Sequence, residues 1–326
     1  MDNFVKSALE NGGSIHPLII PAELTNGTGL FNPSVLVDGD KIYVNIRHCQ
    51  YTLYHSELSN YEHQWGPLLY LNPEDDLTLT TTNYFCELDS NFNMIGFSQV
   101  NTEKLDQKPL WEFVGLEDGR IVKWNNIFYL CGVRRDTTTN GVGRMELSEL
   151  QSIDNKIVET QRFRIPMPNN IDSYCEKNWM PISNIPYHFV KWTNPTEIVK
   201  YNPLTNVCDV IFNNSHYIEL PRDLRGGSQV IPYKDGYITI THEVYFYDSE
   251  AGRKDGTYRH RFVLWDKDWN IKKITEEFDF MGAKIEFACG MSKYTDSYLI
   301  TFGFQDNSAY LLKVTEKFLE DFIYAS

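Results

Sequence analysis

The residues best suited to chemistry begin with Gly115–Arg120, which lies directly before the apolar run Ile121–Trp124. Glu117 and Asp118 are adjacent carboxylates, and Arg120 follows them. If these side chains are buried, the guanidinium would keep one carboxylate ionised through charge-assisted pairing. A surface turn closed by a salt bridge is the alternative interpretation.

Two further acids lie among apolar and small residues. Glu286 lies within Ile285–Gly290, and Asp306 ends the segment Phe302–Asp306. Isolated acids in such surroundings often have shifted pKa values. Together with Asp118 they would supply the carboxylates for general acid–base catalysis on an acetal.

The segment Cys175–Pro181 combines three kinds of binding group. Lys177 offers charge, Asn178 offers hydrogen bonds and Trp179 offers a stacking surface. A plain loop would explain the same residues, so both interpretations stay open.

Two later segments add basic residues to an acidic protein. Arg225–Gln229 contains paired glycines, which let backbone amides approach a ligand, and His242 and Glu243 end the strand predicted after it. Arg259 and Arg261 belong to a basic, aromatic strand that could bind a phosphate, a nucleotide or an acidic sugar. A structural histidine and an exposed outer strand are the alternatives.

Short strands separated by turns must position these residues. Five apolar and aromatic segments stand out, and four of them follow a polar turn typical of a β-hairpin. They are Ile42–Arg47, Phe128–Arg134, His188–Trp192, Tyr237–Glu243 and Tyr298–Gly303. Their starts are 86, 60, 49 and 61 residues apart, which is room for a four-stranded blade and a loop. The sequence therefore predicts an all-β, five-bladed β-propeller, with a β-sandwich as the alternative.

Helices are predicted only near the ends, at Asn3–Glu10 and Glu316–Tyr324. No linker rich in proline or glycine divides the 326 residues. We therefore expect residues 1–326 to form one propeller domain with short terminal extensions.

Composition argues against several functions. The net charge of −14 disfavours broad nonspecific nucleic-acid binding, which needs a basic surface. The six cysteines are dispersed without CxxC spacing, so we expect free thiols in a reducing compartment and no metal site. The chain shows no secretory pattern at its start and no apolar run near ~18 residues, so we expect a cytoplasmic protein without a membrane span. No cofactor is expected either, because nucleotide-binding and hydrolase motifs are missing from the sequence.

Taken in order, several motifs resemble those of glycoside hydrolase family 130. The series begins with Asn32 in Phe31–Pro33 and with Arg47 at the end of the first apolar segment. It continues through Gly115–Arg120, Cys175–Pro181, Gly236–His242 and Phe302–Asp306. The family contains mannoside phosphorylases and β-mannosidases, and a related family of mannosyl-transferring glycosyltransferases shares its fold. The resemblance covers most of the chain.

The resemblance implies a five-bladed propeller with a central sugar site. It also implies that Asp118 is the catalytic acid, which protonates the glycosidic oxygen directly or through a sugar hydroxyl. Two departures are visible. Gly119 replaces the family's proline, and Lys191-Trp192 stands where a phosphate-binding arginine is usual, which weakens the case for phosphorolysis.

The leading prediction is a glycosyltransferase that uses an activated sugar donor and a carbohydrate-type acceptor. Asp118 would be the key acid or base, with Glu243 and Glu286 as further catalytic candidates that could also hold sugar hydroxyls. The residues expected to bind donor and acceptor are Asn32, Arg47, Glu117, Arg120, Lys177, Asn178, Trp179, His242, Arg259, Arg261 and Asp306.

Three alternatives stay open. An inverting hydrolase of β-linked glycosides needs a second carboxylate roughly 6.5–9.5 Å from the acid, whereas a phosphorylase needs two or three cations there. A noncatalytic propeller that binds carbohydrate or protein is the second alternative. The third is a nucleic-acid-linked acceptor such as a modified base, which would need a local basic cleft.

Overall fold

The computed structural model describes residues 3–25, 27, 29–52, 61–63, 66–70, 78–170, 173–248 and 254–325. Five sheets of four or five strands surround a common axis as the blades of a β-propeller. The predicted all-β, five-bladed fold is therefore confirmed, and the β-sandwich alternative is wrong.

Each blade is an antiparallel meander whose strands follow one another from the axis outward. Blade I consists of Leu30–Asp38, Lys41–Cys49, Leu79–Leu88 and Met94–Gln99. Blade II consists of Glu117–Trp124, Ile127–Arg134, Arg144–Ile153 and Lys156–Arg164. Blade III consists of Met180–Pro181, His188–Trp192, Glu197–Asn202 and Val207–Asn213. Blade IV consists of Arg225–Gly226 with Ile231–Tyr233, then Gly236–Asp248, Lys254–Asp266 and Ile271–Ile274. Blade V consists of Glu286–Tyr294, Ser297–Phe304, Ser308–Thr315 and Ser14–Pro17.

Shorter elements accompany the blades. Tyr51–Thr52, Tyr61–His63 and Gly66–Tyr70 form a small sheet. Phe113–Val114 pairs in parallel with the third strand of blade I. Ala22–Thr25 and Pro168–Asn170 are single helical turns.

All five apolar segments identified in the sequence become the second strand of a blade. The polar turns before four of them close the hairpins to the preceding strands, as the sequence predicts. The middle parts of these second strands are buried, because neighbouring blades cover both of their faces, whereas Trp192 and the outer end of Gly236–Asp248 are exposed.

Gln229 ties three central strands together at the axis. Its amide nitrogen donates to the carbonyl oxygens of Val35 (3.0 Å) and Ile121 (2.7 Å). Its amide oxygen accepts from the backbone nitrogen of Met291 at 3.1 Å. Because the side chain is 1% exposed, these bonds fix blades I, II and V around the axis.

The two ends of the chain close the ring in blade V. The early strand Ser14–Pro17 pairs with Ser308–Thr315, so the last blade contains strands from both termini. The predicted terminal helices are confirmed as Phe4–Glu10 and Glu316–Ala325. The ring of Phe4 contacts Phe318 and Phe262, which packs both helices against the core.

All six cysteines are free thiols, of which five are buried and Cys175 is partly exposed. Within the described residues, no helix is both long enough and apolar enough to cross a membrane.

Candidate active site

A cavity of about 160 Å³ opens at one end of the central strands. All five blades, or the loops that precede their first strands, contribute to its wall. The lining residues are Phe31, Asn32, Arg47, Phe113, Glu117, Asp118, Lys177, Asn178, Arg225, His242, Tyr258, Phe287 and Asp306. The structure therefore brings together eight of the residues that the sequence singled out.

Left-handed backbone conformations concentrate in this wall. Asn32, Asp118, Asn178 and Asp306 have φ angles of 46°, 51°, 62° and 49°. Asparagine and aspartate tolerate this region better than other residues with a side chain. The pairing register of the central strands shifts at Asn32 and at Asp118, and such bulges redirect side chains. The strained backbone thus turns polar groups into the cavity, a pattern common at functional sites.

Asp118 is held in place from two sides. One carboxylate oxygen accepts hydrogen bonds from the amide of Asn32 and from the guanidinium of Arg47, both at 2.8 Å. Burial favours the neutral acid, but Arg47, Asn32 and the nearby Arg120 outweigh it and lower the pKa of Asp118 to about 2. Asp118 is therefore an anion at neutral pH.

Asp306 has the opposite electrostatic character. Burial and the negative charge of Asp118 raise its pKa to about 6, and the attraction of Arg47 only partly opposes them. Within the described part of the chain no hydrogen bond fixes its carboxyl group. The cavity thus contains two carboxyl groups whose environments push their pKa values apart.

Cations form another part of the wall. Lys177 and Arg225 are exposed, and neither is ion-paired with a carboxylate of the described residues. His242 is 2% exposed, and its Nδ1 has no hydrogen-bond partner. Burial and the basic neighbours His260, Arg225, Arg120 and Lys177 lower the pKa of His242 well below its ordinary value. A neutral imidazole and two cations therefore line the cavity, where they could bind an anion.

Arg120 lies behind the cavity wall and holds two of the wall residues in place. It donates to the backbone carbonyls of Gly227 (2.6 Å) and Asp118 (3.0 Å), and to the side-chain oxygen of Asn178 (3.3 Å). The side chain is 1% exposed and does not line the cavity. We therefore describe Arg120 as a positioning residue for two groups of the wall.

The paired glycines serve packing. A Cβ atom on Gly226 would lie 1.9 Å from the carbonyl oxygen of Asn178. One on Gly227 would lie 2.3 Å from the carbonyl oxygen of Ile240. Glycine is thus needed for the close approach of backbone to backbone, and neither glycine lines the cavity.

The structure does not bring Glu243 and Glu286 to the cavity. Glu243 is fully buried and forms an ion pair with Arg261. The carboxylate of Glu286 accepts hydrogen bonds from the backbone N–H groups of Phe280 (2.7 Å), Met281 (2.8 Å) and Ala283 (3.1 Å). Both acids are already engaged in holding the fold.

Arg261, the ion-pair partner of Glu243, was predicted to bind substrate but also lies outside the cavity, and so do two other predicted binding residues. Trp179 is buried in the core between blades II and III, and its indole nitrogen donates to Glu176 at 2.9 Å. The guanidinium of Arg259 donates to the carbonyl of Tyr258 at 3.0 Å. Neither side chain belongs to the cavity wall.

Sequence reasoning missed five wall residues: Phe31, Phe113, Arg225, Tyr258 and Phe287. Four of them lie inside or beside segments that the sequence had singled out. Phe113 carried no signal of its own, because it reaches the cavity through the parallel pairing of Phe113–Val114 with blade I.

No family model matches this sequence, and no curated protein matches it. Solved structures do resemble it. A β-1,2-mannobiose phosphorylase from Listeria innocua superimposes with a TM-score of 0.55 at 14% identity, covering 96% of this chain and 97% of that one. A structure from the GH130 family of mannoside phosphorylases, reported to contain hydrolases of β-1,2 mannosidic linkages in Candida mannan, gives 0.52 at 13%, covering 89% and 85%.

A mannose phosphorylase from Leishmania mexicana, solved with a phosphate ion, gives a TM-score of 0.50 at 11% identity, covering 97% of this chain and 93% of that one. These likenesses agree with the resemblance read from the motifs. At such identities they establish the five-bladed fold that the chain shares with these proteins.

Proposed function

We propose that this chain is a carbohydrate-active enzyme that cleaves a β-mannoside-type glycosidic bond and transfers the sugar to phosphate. One observation carries the proposal: two carboxyl groups of different pKa and a group of cations line the same small cavity. The solved structures that share the fold include phosphorylases and hydrolases of mannosides, which supports a cleaving enzyme over the transferase favoured by the sequence.

The carboxyl groups divide the acid–base work. Asp118 is the permanent anion, which stabilises the positive charge that develops on the sugar ring as the bond breaks. Asp306 has a pKa of about 6 and is the carboxyl group that can still carry a proton near neutral pH. From Asp306 the proton reaches the leaving oxygen, either directly or through a sugar hydroxyl. The role of acid that the resemblance gives to Asp118 remains the competing prediction.

The cations hold the attacking phosphate. Lys177 and Arg225 supply charge, and the imidazole of His242, which lines the same cavity, supplies a hydrogen bond. Arg225 thereby takes the role of the phosphate-binding arginine, which Lys191 replaces in this sequence. Lys191 is engaged elsewhere, since its ammonium group pairs with Glu197 at 2.8 Å. A phosphate oxygen attacks the anomeric carbon, the glycosidic bond breaks, and the leaving oxygen takes the proton.

Hydrolysis is the second candidate. With its proton removed, Asp306 joins Asp118 and Glu117 as a further carboxylate in the cavity and could activate water in place of phosphate. Neither Glu243 nor Glu286 can do so, because both are engaged away from the cavity.

The test is to incubate purified protein with β-1,2- and β-1,4-mannobiose, with and without phosphate, and to identify products by mass spectrometry. We expect a sugar 1-phosphate that forms only with phosphate, and a Lys177→Met variant should need much more phosphate to reach half its maximal rate. Release of free mannose independent of phosphate would favour the hydrolase. Binding without turnover would favour the noncatalytic propeller and overturn the proposal.

A further inference from the structure

The long hairpin of blade IV extends beyond its sheet, next to the cavity. Its strands Gly236–Asp248 and Lys254–Asp266 pair along their whole length. The flanking strands cover only the inner part, since Arg225–Gly226 pairs at Thr241–His242 and the outer strand at Val263–Trp265. Residues 243–248 and 254–259 therefore form a two-stranded ribbon, which we call the blade IV ribbon.

Alternation along the strand decides which residues of the ribbon face the cavity. His242 lines the cavity, so Val244 and Phe246 lie on the same face of their strand. Tyr258, which also lines the cavity, is the cross-strand partner of Val244. The next position outward on this face is Phe246, whose side chain is 49% exposed.

Arg225 connects the cavity with this exposed ring. Its guanidinium carbon lies 5.4 Å from the centre of the Phe246 ring, and the same residue lines the cavity. Opposite Phe246 stands Gly256, where a Cβ atom would lie 3.1 Å from Val244 and 3.7 Å from the Phe246 ring. An aromatic ring with a guanidinium over it is a common platform for flat ligand rings.

The other face of the ribbon has a structural role. The guanidinium of Arg222 lies 4.2 Å from the centre of the Tyr245 ring, and the Lys284 ammonium lies 5.3 Å from that of Tyr247. An isolated two-stranded hairpin is only marginally stable, so the shorter Arg222–Tyr245 contact helps to keep the ribbon in place, whereas Tyr247 lies nearer its outer end.

The cavity is too small to enclose a large ligand. A volume of about 160 Å³ is well below that of pockets which enclose drug-sized ligands, about 300–1,000 Å³. One sugar ring and a phosphate group would fill it. A group attached to a phosphate held at Arg225 would lie within reach of Phe246, because the Arg225 guanidinium carbon is 5.4 Å from the centre of that ring.

We propose that the phosphate bound at Lys177, Arg225 and His242 can be that of a nucleoside diphosphate, whose base stacks on Phe246. This inference rests on the proposed function, because a nucleoside diphosphate sugar is a sugar 1-phosphate with a nucleoside monophosphate attached. In the reverse of the cleavage, the bond from the anomeric carbon to the phosphate oxygen breaks, and the nucleoside diphosphate leaves with the electron pair. The acceptor oxygen forms the new bond, and its proton passes to the carboxylate of Asp306.

The experiment measures affinities by calorimetry for inorganic phosphate, pyrophosphate, and the diphosphates of uridine, guanosine, adenosine and cytidine. The proteins are wild type, Phe246→Ala, Phe246→Trp and the matched control Tyr247→Ala on the opposite face of the ribbon. We expect at least one nucleoside diphosphate to bind about tenfold more tightly than pyrophosphate. Phe246→Ala should remove that advantage and leave pyrophosphate affinity unchanged, whereas Phe246→Trp and Tyr247→Ala should keep it.

Two outcomes overturn the inference: equal affinity for pyrophosphate and for every nucleotide, or full nucleotide affinity in Phe246→Ala. The inorganic anions test the proposed function separately. If wild type binds neither phosphate nor pyrophosphate, the anion site fails and this inference fails with it. If both bind and the nucleotides gain nothing, only the base platform fails.

Discussion

Two cavities of this propeller are lined by charged side chains, and they differ in how those charges are paired. A larger cavity of about 1250 Å³ lies between blades I and II. There Arg134 contacts Asp136 at 3.2 Å and Glu146 at 3.0 Å. Arg162 contacts Asp106 at 3.0 Å and also pairs with Glu159, which is 1% exposed. In this cluster each of these charges has an opposite charge beside it.

The central cavity is about eight times smaller, and several of its polar groups lack such partners. Lys177 and Arg225 have no carboxylate partner in the described structure, and the Nδ1 of His242 accepts and donates nothing. Burying an unpaired polar group costs stability, so the buried and unpartnered Nδ1 of His242 calls for an explanation, and the two exposed cations beside it add charge that no carboxylate neutralises. We infer that unpaired charge, more than volume, distinguishes the functional cavity from the structural one.

The largest expected effect is the loss of turnover in Asp118→Asn. The substitution keeps the shape of the side chain but removes the anion that contacts Arg47 and that, in the proposed mechanism, faces the sugar. We expect kcat/KM to fall by about 10³ or more, in the range of lost transition-state stabilisation. Steady-state kinetics on the active mannoside would measure it.

The matched control for this variant is Glu117→Gln, which alters the adjacent acid of the same wall. Glu117 contacts Arg47 at the longer distance of 3.5 Å, so its loss should have a smaller effect. An Asp118→Asn variant as active as wild type would remove Asp118 from the mechanism.

The next effect concerns the paired cluster and should appear in stability. Glu159→Gln leaves Arg162 without its buried partner, and Ser148 without the carboxylate that accepts its hydroxyl group at 2.6 Å. We expect the free energy of unfolding to fall by about 3 kcal/mol, while kcat/KM of the folded protein stays within about twofold. Urea unfolding and kinetics on the same preparation would measure both.

The control is Glu103→Gln, which removes an exposed carboxylate from the wall of the same cavity and should be nearly neutral. If Glu159→Gln abolished turnover without loss of stability, the larger cavity would also be functional, and the comparison would fail.

The sequence was sufficient to predict the architecture because the strongest signals were local. The five second strands are apolar runs that follow turns, and both features lie within a few residues of each other. Asp118 and Asp306 were also identified, since each belongs to a short motif that places a charged residue at a strand end. Such signals need no knowledge of distant contacts.

The remaining details depend on strand direction and on long-range pairing. His242 and Glu243 are neighbours in one strand and must face opposite sides, so only one of them can line the cavity. The sequence could not tell which. Arg225 was not selected as a binding residue, because its place beside His242 is set by a strand pairing formed across the blade.

The smallest expected effect has the opposite sign to that in the paired cluster, since Asp306→Asn should stabilise the protein at neutral pH. The pKa of Asp306 is about 6 in the folded protein and 3.8 ordinarily, so between about pH 4 and 6 the folded state binds more protons than the unfolded state. Stability therefore falls as pH rises through this window in wild type, and this part of the fall disappears in the variant. We expect a gain of about 1 kcal/mol at pH 7, since partial exposure of the side chain screens the effect. Urea unfolding from pH 4 to 8 would measure it beside the exposed control Asp235→Asn. Parallel curves of stability against pH for wild type and Asp306→Asn would show that Asp306 does not retain a proton in this pH range.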